Sequence, residues 1–338
     1  MPFRDVIGHR RLIGLLQRSI ARESLPPSLI FAGPPGVGKR RTALTIAQAL
    51  NCANPARGVQ SNGADACGEC PTCARIARGV HPDVLVLEPG DTGSIKIEPV
   101  RDAIARASFR PFEGRRRVTI VDEADALVAA AQNSLLKTLE EPAPSSVFIL
   151  ITARPDVLLP TVRSRCPQLR FRSLSPDEIA AALVAHGHSE TEARAIAATA
   201  DGSLGQALKA SGGELVEARA IAQQLLEAAA SGTASSRVAA AGALTGKSGA
   251  GDTDRDRVAE RLRPLPSLLR DAELLAAGAD PALLANADLG PVLDRLRATY
   301  GGGRGIQAFA AVERALAALG PSSNANAKIV ADWVALGL

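Results

Sequence analysis

The chain has 338 residues, 46% hydrophobic, 22% charged and only 3% aromatic, which excludes wholesale disorder and argues against an all-β sandwich or barrel. No apolar run reaches the ~20 residues needed to span a bilayer, and the opening MPFRDVIGHRR has no apolar signal core, so the expected compartment is the cytoplasm. A net charge of +4 is compatible with a nucleic-acid or nucleotide partner but too mild to establish one.

In chain order, Ser28-Leu29-Ile30-Phe31-Ala32 reads as a short buried strand, followed by a glycine-rich loop and a helix from Arg40 to Leu50. Val84–Leu87 and Val118–Val121 read as further strands. A helix from about Ala129 to Glu140, a strand Val147–Thr152 and an extended run near Gln168–Phe171 follow. Strands apolar on both faces and separated by helices predict a parallel sheet covered on both sides. Beyond Phe171 the strand signal ends. Ser175-Pro176-Asp177-Glu178 has the cap, the proline and the acidic residue of a helix start, and helical patterns run to about Lys209 with breaks at Gly187 and Gly202. Ser211-Gly212-Gly213 reads as a linker, and from Glu214 onward the pattern is helical, interrupted at 246–252 and 301–305. No internal repeat is present. The expected fold class is α/β plus all-α: an α/β domain over 1–172, a small helical domain over 173–211 and a larger helical domain over 212–338.

Gly33-Pro34-Pro35-Gly36-Val37-Gly38-Lys39-Arg40 follows a strand and opens a helix, the context a P-loop requires. Backbone N–H groups of Gly33, Gly36 and Gly38 and the Lys39 ammonium would cradle phosphate. The eighth position should supply a hydroxyl to Mg²⁺, but it is Arg40, which has no acceptor atom and repels a cation. Thr42 lies about 200° around the helix and cannot substitute. Val118–Glu123 has the form of a strand ending in paired carboxylates, Asp122 to hold a metal and Glu123 to polarise water. The frame of a nucleotide site is there with damaged metal handling, which puts ATP/Mg²⁺ binding by this chain in doubt.

Five cysteines are present, at positions 52, 67, 70, 73 and 166. In a reducing cytosol a tight cluster reads as metal-binding or redox-active rather than disulfide-bonded. Cys52, Cys67, Cys70 and Cys73 suit a closed four-thiolate Zn²⁺ site in a module over about 52–80. A Cys-x-x-Cys-x-x-Cys run also occurs in iron–sulfur proteins, where a further cysteine follows four residues on; Ala77 stands there. Cys166 reads as a packing residue. The basic residues Lys96, Arg101, Arg106, Arg110 and Arg115-Arg116-Arg117 surround an expected helix and could meet phosphates or simply solvent. A second run, Arg255, Arg257, Arg261 and Arg263, reads as interface or solvent-facing.

Several motifs occur in one order: Asp5-Val6-Ile7-Gly8-His9, the P-loop, Val121-Asp122-Glu123-Ala124-Asp125, Ser134–Pro142 (SLLKTLEEP) and Ser164-Arg165-Cys166. In this order they resemble the clamp-loader branch of the AAA+ ATPases, and Asn324–Lys328 is similar to the final collar helix of that branch's bacterial members. The resemblance implies a RecA-like AAA+ domain with an inserted zinc module, a helical lid and a helical collar that mediates oligomerisation. It also implies that Arg165 is an arginine finger, reaching in trans into a neighbouring subunit's ATP site. Three departures favour the delta-prime type over the ATP-hydrolysing gamma/tau motor. These are Arg40, Gly205 where motors place a sensor arginine, and Arg154 beside the Thr152 sensor position. His81-Pro82-Asp83 is also similar to the delta-prime type. The implied partners are gamma/tau and delta subunits in a hetero-pentamer, the sliding clamp, and primed DNA through the assembled complex. The chain's own ATPase is expected to be lost. The alternatives are the gamma/tau-type motor and a stand-alone AAA+ translocase.

Overall fold

Strand residues split alternately between two cores. Leu29 and Phe31 in one strand, with Ile149 and Ile151 in its neighbour, join the core beneath the first helices; Ile30, Phe148 and Leu150 join the core on the opposite face. Period-two alternation with both sides apolar is what a parallel sheet covered by helices on both faces demands. The computed structural model describes residues 2–55, 64–90, 92–209, 212–231, 233–246, 254–280, 284, 286, 289–320 and 325–338. The chain divides into two compact units, residues 1–174 and 175–338.

The first unit runs α1 (Arg10–Ala21), β1 (Ser28–Ala32), α2 (Lys39–Asn51), α3 (Pro71–Ala77), β2 (Val84–Leu87), α4 (Ile97–Ala107), β3 (Arg117–Val121), α5 (Ala129–Glu140), β4 (Ser146–Thr152), α6 (Pro160–Arg163) and β5 (Gln168–Arg170). All five strands are parallel, in the order β2-β3-β4-β1-β5, with Ile30 opposite Leu150 and Ile120 opposite Ile149. α1, α2 and α3 contribute Ile13, Leu16, Ile46 and Ile76 to one core, while α4 and α5 contribute Val100, Leu135 and Leu139 to the other. Each fully buried side chain of this size contributes about 1.5–3 kcal/mol.

The second unit is wholly helical among the described residues: α7 (Pro176–Ala185), α8 (Glu190–Thr199), α9 (Leu204–Lys209), α10 (Gly212–Ser231), α11 (Ala234–Ala241), α12 (Asp254–Leu262), α13 (Pro264–Ala276), α14 (Gly290–Tyr300), α15 (Gly303–Ala318) and α16 (Ala327–Gly337). α7 opens with the capping box expected at Ser175, its hydroxyl accepting from the Glu178 N–H at 3.2 Å while the Glu178 carboxylate accepts from the Ser175 N–H at 2.9 Å. Leu226, Leu265, Tyr300 and Val334 centre the core of α10 to α16.

Two expectations need correction. Gly212 and Gly213 begin α10 rather than a linker, because the helix continues through them into its apolar stretch; Ser211 lies outside the described residues. Arg261 is neither at an interface nor in solvent: it is buried, donating to the carbonyls of Ala243 and Gly246 (both 2.9 Å) and to Glu217 at 3.0 Å. Residues 247–252 and Asn324, both cited from sequence, lie outside the described residues. Among those described, no helix is long and apolar enough to cross a membrane.

Candidate functional site

In a parallel sheet the loops after β1, β3 and β4 open on the same carboxyl edge, where ligands of such sheets bind. The loop after β1 is the expected P-loop. Gly33, Gly36 and Gly38 all have positive φ, and a Cβ on Gly33 would lie 2.2 Å from the Phe171 carbonyl oxygen, so only glycine lets the strand pass. His9, at the end of the N-terminal motif, reaches the loop through Nε2, 3.0 Å from the Val37 carbonyl oxygen. Lys39 donates from Nζ to the carbonyls of Gly33, at 2.6 Å, and Pro34. Burial pushes its ammonium pKa down to about 8, against the upward pull of Asp122 and Asp125.

Arg40 reaches across to the carboxylate at the end of β3. Its Nη1 pairs with Glu88, just past β2, and with Asp122 Oδ2 at 3.2 Å. A guanidinium therefore sits on the group that would hold the metal. Thr42 cannot replace the missing hydroxyl, because it is buried and donates to the Gly38 carbonyl at 2.9 Å. Nearby, Thr152 donates to Asp125 Oδ1 at 2.9 Å, and Arg154 grips Asp125 Oδ2 through Nε and Nη2 at 3.1 and 3.0 Å. Glu123 sits in the left-handed region at φ 51°. Burial raises its carboxyl pKa, as do Asp122, Asp125 and Glu88, while Arg40 opposes them. Lys39, Arg40 and Arg154 thus face Glu88, Asp122, Glu123 and Asp125, a site whose charges are nearly balanced by its own side chains.

The structure brings Gly33, Gly36, Gly38, Lys39, Asp122 and Glu123 to one sheet edge, as the sequence reading places them. Glu88 was not part of that reading; the available signal was a carboxylate immediately following a buried strand, the same position Asp122 has after β3. Gly205 lies in the first turn of α9, in the other unit.

The cysteine cluster forms separately. The sulfurs of Cys52, Cys67, Cys70 and Cys73 all lie within 4.8 Å of one another. A tetrahedral ion with ~2.3 Å metal–sulfur bonds needs sulfurs ~3.8 Å apart, so the four thiols suit a metal ion such as zinc. Cys52 caps the C-terminus of α2, Cys70 caps the N-terminus of α3 and Cys73 sits in that helix's first turn. The N–H groups of Cys67, Cys70 and Cys73 point at Cys52, Cys67 and Cys70 sulfurs at 3.3, 3.3 and 3.5 Å, a donor set that favours thiolates. Cys166 is buried in the sheet core, where burial pushes its thiol up to about 11, consistent with packing.

Next to the cluster, Asp83 is a hub the sequence reading did not foresee. Its fully buried carboxylate accepts from the N–H groups of Phe112, Glu113 and Gly114 at 2.7, 2.9 and 2.8 Å and from Arg117 Nη2 at 2.9 Å. Burial pushes this carboxyl up, but the three N–H groups and Arg117 outweigh it and hold its pKa below the ordinary carboxylate range. The stabilisation it supplies is therefore present above its unfolded pKa and is lost as pH falls through the lower folded value, below roughly pH 4. Asp83→Ala removes the charge partner of the half-buried Arg117 guanidinium, which keeps only its carbonyl acceptors, and leaves three N–H groups without their acceptor. It is expected to cost about 3–5 kcal/mol, read as a shift in the urea midpoint at pH 7.

Arg165 stands apart from all of these, beyond α6. Its Nε and Nη2 donate to Glu140 Oε2 at 3.0 and 2.9 Å, and its Nη1 to the Thr161 carbonyl at 3.0 Å. Of the first basic stretch, Arg117 also donates to the Arg106 and Arg110 carbonyls and Arg116 to that of Pro144, whereas Arg101, Arg106, Arg110 and Arg115 are exposed.

Residues 8–175 match the family described as "DNA polymerase III, delta subunit". The DNA polymerase III subunit delta' of Pseudomonas aeruginosa is 41% identical over 140 residues, covering 41% of this chain and 41% of that protein. That of Bacillus subtilis is 36% identical over 187 residues, 55% of this chain and 54% of its own length. The DNA polymerase III subunit tau of Escherichia coli is 32% identical over 235 residues, 66% of this chain and 35% of its own length. The similarity thus spans about half, or less, of each relative.

Proposed function

Because the chain belongs, through residues 8–175, to the family described as "DNA polymerase III, delta subunit", we propose that it is a delta-prime-type clamp-loader subunit. In this reading it stands beside gamma/tau and delta subunits in a hetero-pentamer that places the sliding clamp on primed DNA. The observation that carries the reading is Arg40 on Asp122: a subunit whose metal carboxylate is taken by its own guanidinium is a poor motor. Gly205, without a side chain, supports the same conclusion. The similarity to a tau subunit reflects shared ancestry, and Arg40 weighs against a gamma/tau-type motor.

The remaining parts take roles accordingly. Arg165, oriented by Glu140 and still about one-third exposed, acts as the arginine finger for a neighbour's ATP site. The four cysteines hold a structural Zn²⁺, leaving no coordination position open for catalysis. α7 to α9 serve as the lid, and α10 to α16 as the collar. α16 supports this last assignment: while Val330 and Val334 are buried, Ile329, Trp333 and Leu336 recur at helical spacing on its exposed side. Such a stripe fits helix-to-helix packing between subunits. The working compartment is the cytoplasm.

ATP turnover by the isolated chain tests the reading. It should be no faster than that of Lys39→Ala, and Arg40→Thr alone should not confer full activity, since Gly205 still leaves the phosphate without its sensor. A clear turnover abolished by Lys39→Ala would establish a motor instead.

A further inference from the structure

One face of α1 departs from the local rules of helix formation at several positions. Arg10 and Arg11 occupy the first two positions, where the positive end of the helix dipole disfavours cations, and no side chain caps that end. Arg18 and the capping residue Arg22 stand four apart, where like charges repel. Gly14 sits inside the helix, at a cost of about 1 kcal/mol relative to alanine. At about 100° per residue, Arg10, Gly14, Arg18, Arg11 and Arg22 all fall within about 120° of the circumference. The other side carries Ile13 and Leu16, buried in the sheet core. The four arginines are exposed, and α1 contains no Asp or Glu. Among the described residues, no ion pair or side-chain hydrogen bond ties any of them. The glycine has a use: Arg18 folds back over it, with Nη1 3.2 Å from where a Cβ of residue 14 would stand. That brings the guanidinium a turn closer to Arg10 and Arg11, gathering like charges that no neighbour offsets. Such concerted departures from local preference mark a surface shaped by a ligand.

Uncompensated guanidinium groups spread along about 18 Å of helix call for a linear anion. A strand of duplex DNA carries a phosphate every ~3.4 Å of its axis, and the forked guanidinium matches phosphate oxygens. A lipid surface does not fit, because the apolar face that would insert is already buried. A protein partner would need an apolar centre, and this face offers only Leu15, 47% exposed. Single-stranded nucleic acid would need rings on which to stack its bases, and α1 has no aromatic residue. The face is also separate from the basic residues Arg101 and Arg106. Those belong to α4, which packs on the opposite side of the sheet from α1.

We propose that the arginine face of α1 is a contact surface for the phosphate backbone of duplex DNA, used without sequence preference. The contact belongs to this chain alone and does not require the assembled loader. The test titrates the full chain with a short fluorescent duplex over a series of salt concentrations. Affinity should fall linearly on a log–log plot against salt. In Arg11→Ser/Arg18→Ser the slope should flatten by about two, one for each lost phosphate contact, and affinity at low salt should drop at least tenfold. Arg11→Lys/Arg18→Lys, which keeps the charges, should retain the slope. Gly14→Glu should also bind at least tenfold more weakly without lowering the melting temperature, since it removes a helix-weakening glycine while placing a carboxylate among the arginines. The same losses should appear in an Arg101→Ser/Arg106→Ser background, because those residues lie across the sheet. Unchanged slope and affinity in Arg11→Ser/Arg18→Ser, or losses that vanish in that background, would overturn the proposal. So would displacement of the duplex by polyglutamate or single-stranded DNA at lower concentrations than by unlabelled duplex, which would assign the face to another partner. A chain that binds no duplex by itself would also overturn it and leave the loader reading standing, since that reading places DNA in the assembled complex.

Discussion

Arg165→Ala is expected to leave folding and assembly intact while slowing ATP turnover at one site of the assembled loader by roughly 10³–10⁵. The stability side follows from the contacts. Arg165 meets Glu140 on the surface, with the two side chains 31% and 60% exposed, and ion pairs of that kind contribute about 0–1 kcal/mol. The catalytic side follows from the guanidinium, permanently charged and forked to match phosphoryl oxygens. Glu140 and the Thr161 carbonyl hold it extended from the end of α6, so little rotamer freedom is lost when phosphate replaces carboxylate. Other sites keep their own arginines, so the bulk rate should drop only in part, while coupled clamp loading suffers more. Arg165→Lys should rescue poorly, because an ammonium cannot reproduce the planar fork. DNA-stimulated ATPase and clamp loading by pentamers carrying wild type, Arg165→Ala or Arg165→Lys provide the measurement. Unchanged rates in an assembled Arg165→Ala complex would reduce Arg165 to a surface ion pair.

Metal removal should have the other large effect. The purified chain is expected to contain one Zn²⁺ and no visible chromophore, and Cys70→Ser should release the ion. In isolated zinc-finger peptides such sites contribute about 10–16 kcal/mol, enough to decide between folded and unfolded. Here two cysteines are carried at the ends of α2 and α3, which pack into the sheet's core through Ile46 and Ile76. Loss of metal should therefore loosen residues 52–80 while the sheet and the C-terminal helices stay folded. Because Asn51, Arg75 and Asp83 anchor the loop before β3, hydrogen exchange at the N–H groups of residues 112–116 should accelerate as well. Elemental analysis showing iron, or a metal-free chain with unchanged exchange over 52–80, would contradict the assignment.

What the sequence made legible is what local rules govern. β1, β3 and β4 were readable because strands buried on both faces are continuous apolar runs, and the P-loop because glycine spacing, strand and helix coincide. α7 was readable because the capping box at Ser175 lies within four residues. α1 was equally legible, since Leu12, Ile13, Leu16 and Ile20 line one face while Arg10, Arg11, Gly14 and Arg18 line the other, but the sequence reading does not include it. The networks were invisible for a different reason. Arg40 meets residues 48 and 82 positions away, and Asp83 gathers groups 29 to 34 positions downstream. From sequence, Arg40 could be recognised as lacking an acceptor atom. That it also neutralises Asp122 depends on β3 lying two places from β1, with β4 between them, and that Glu88 joins the pair depends on β2 lying beside β3; only the sheet order supplies both. Arg261 was misjudged in the same way, since nothing local marks an arginine as the donor to carbonyls 15 to 18 positions away and to a carboxylate 44 positions away.

The central claim is that this chain works within a loader without powering it. Reconstitution tests it most directly: gamma/tau and delta subunits are mixed with this chain, wild type or Lys39→Ala, and assembly by light scattering is followed by clamp loading on primed DNA. The account predicts that the subunits form a hetero-pentamer and load the clamp only when this chain is present, with Lys39→Ala as effective as wild type. A chain that remains outside the assembly, or a Lys39→Ala complex that assembles and no longer loads, would contradict it.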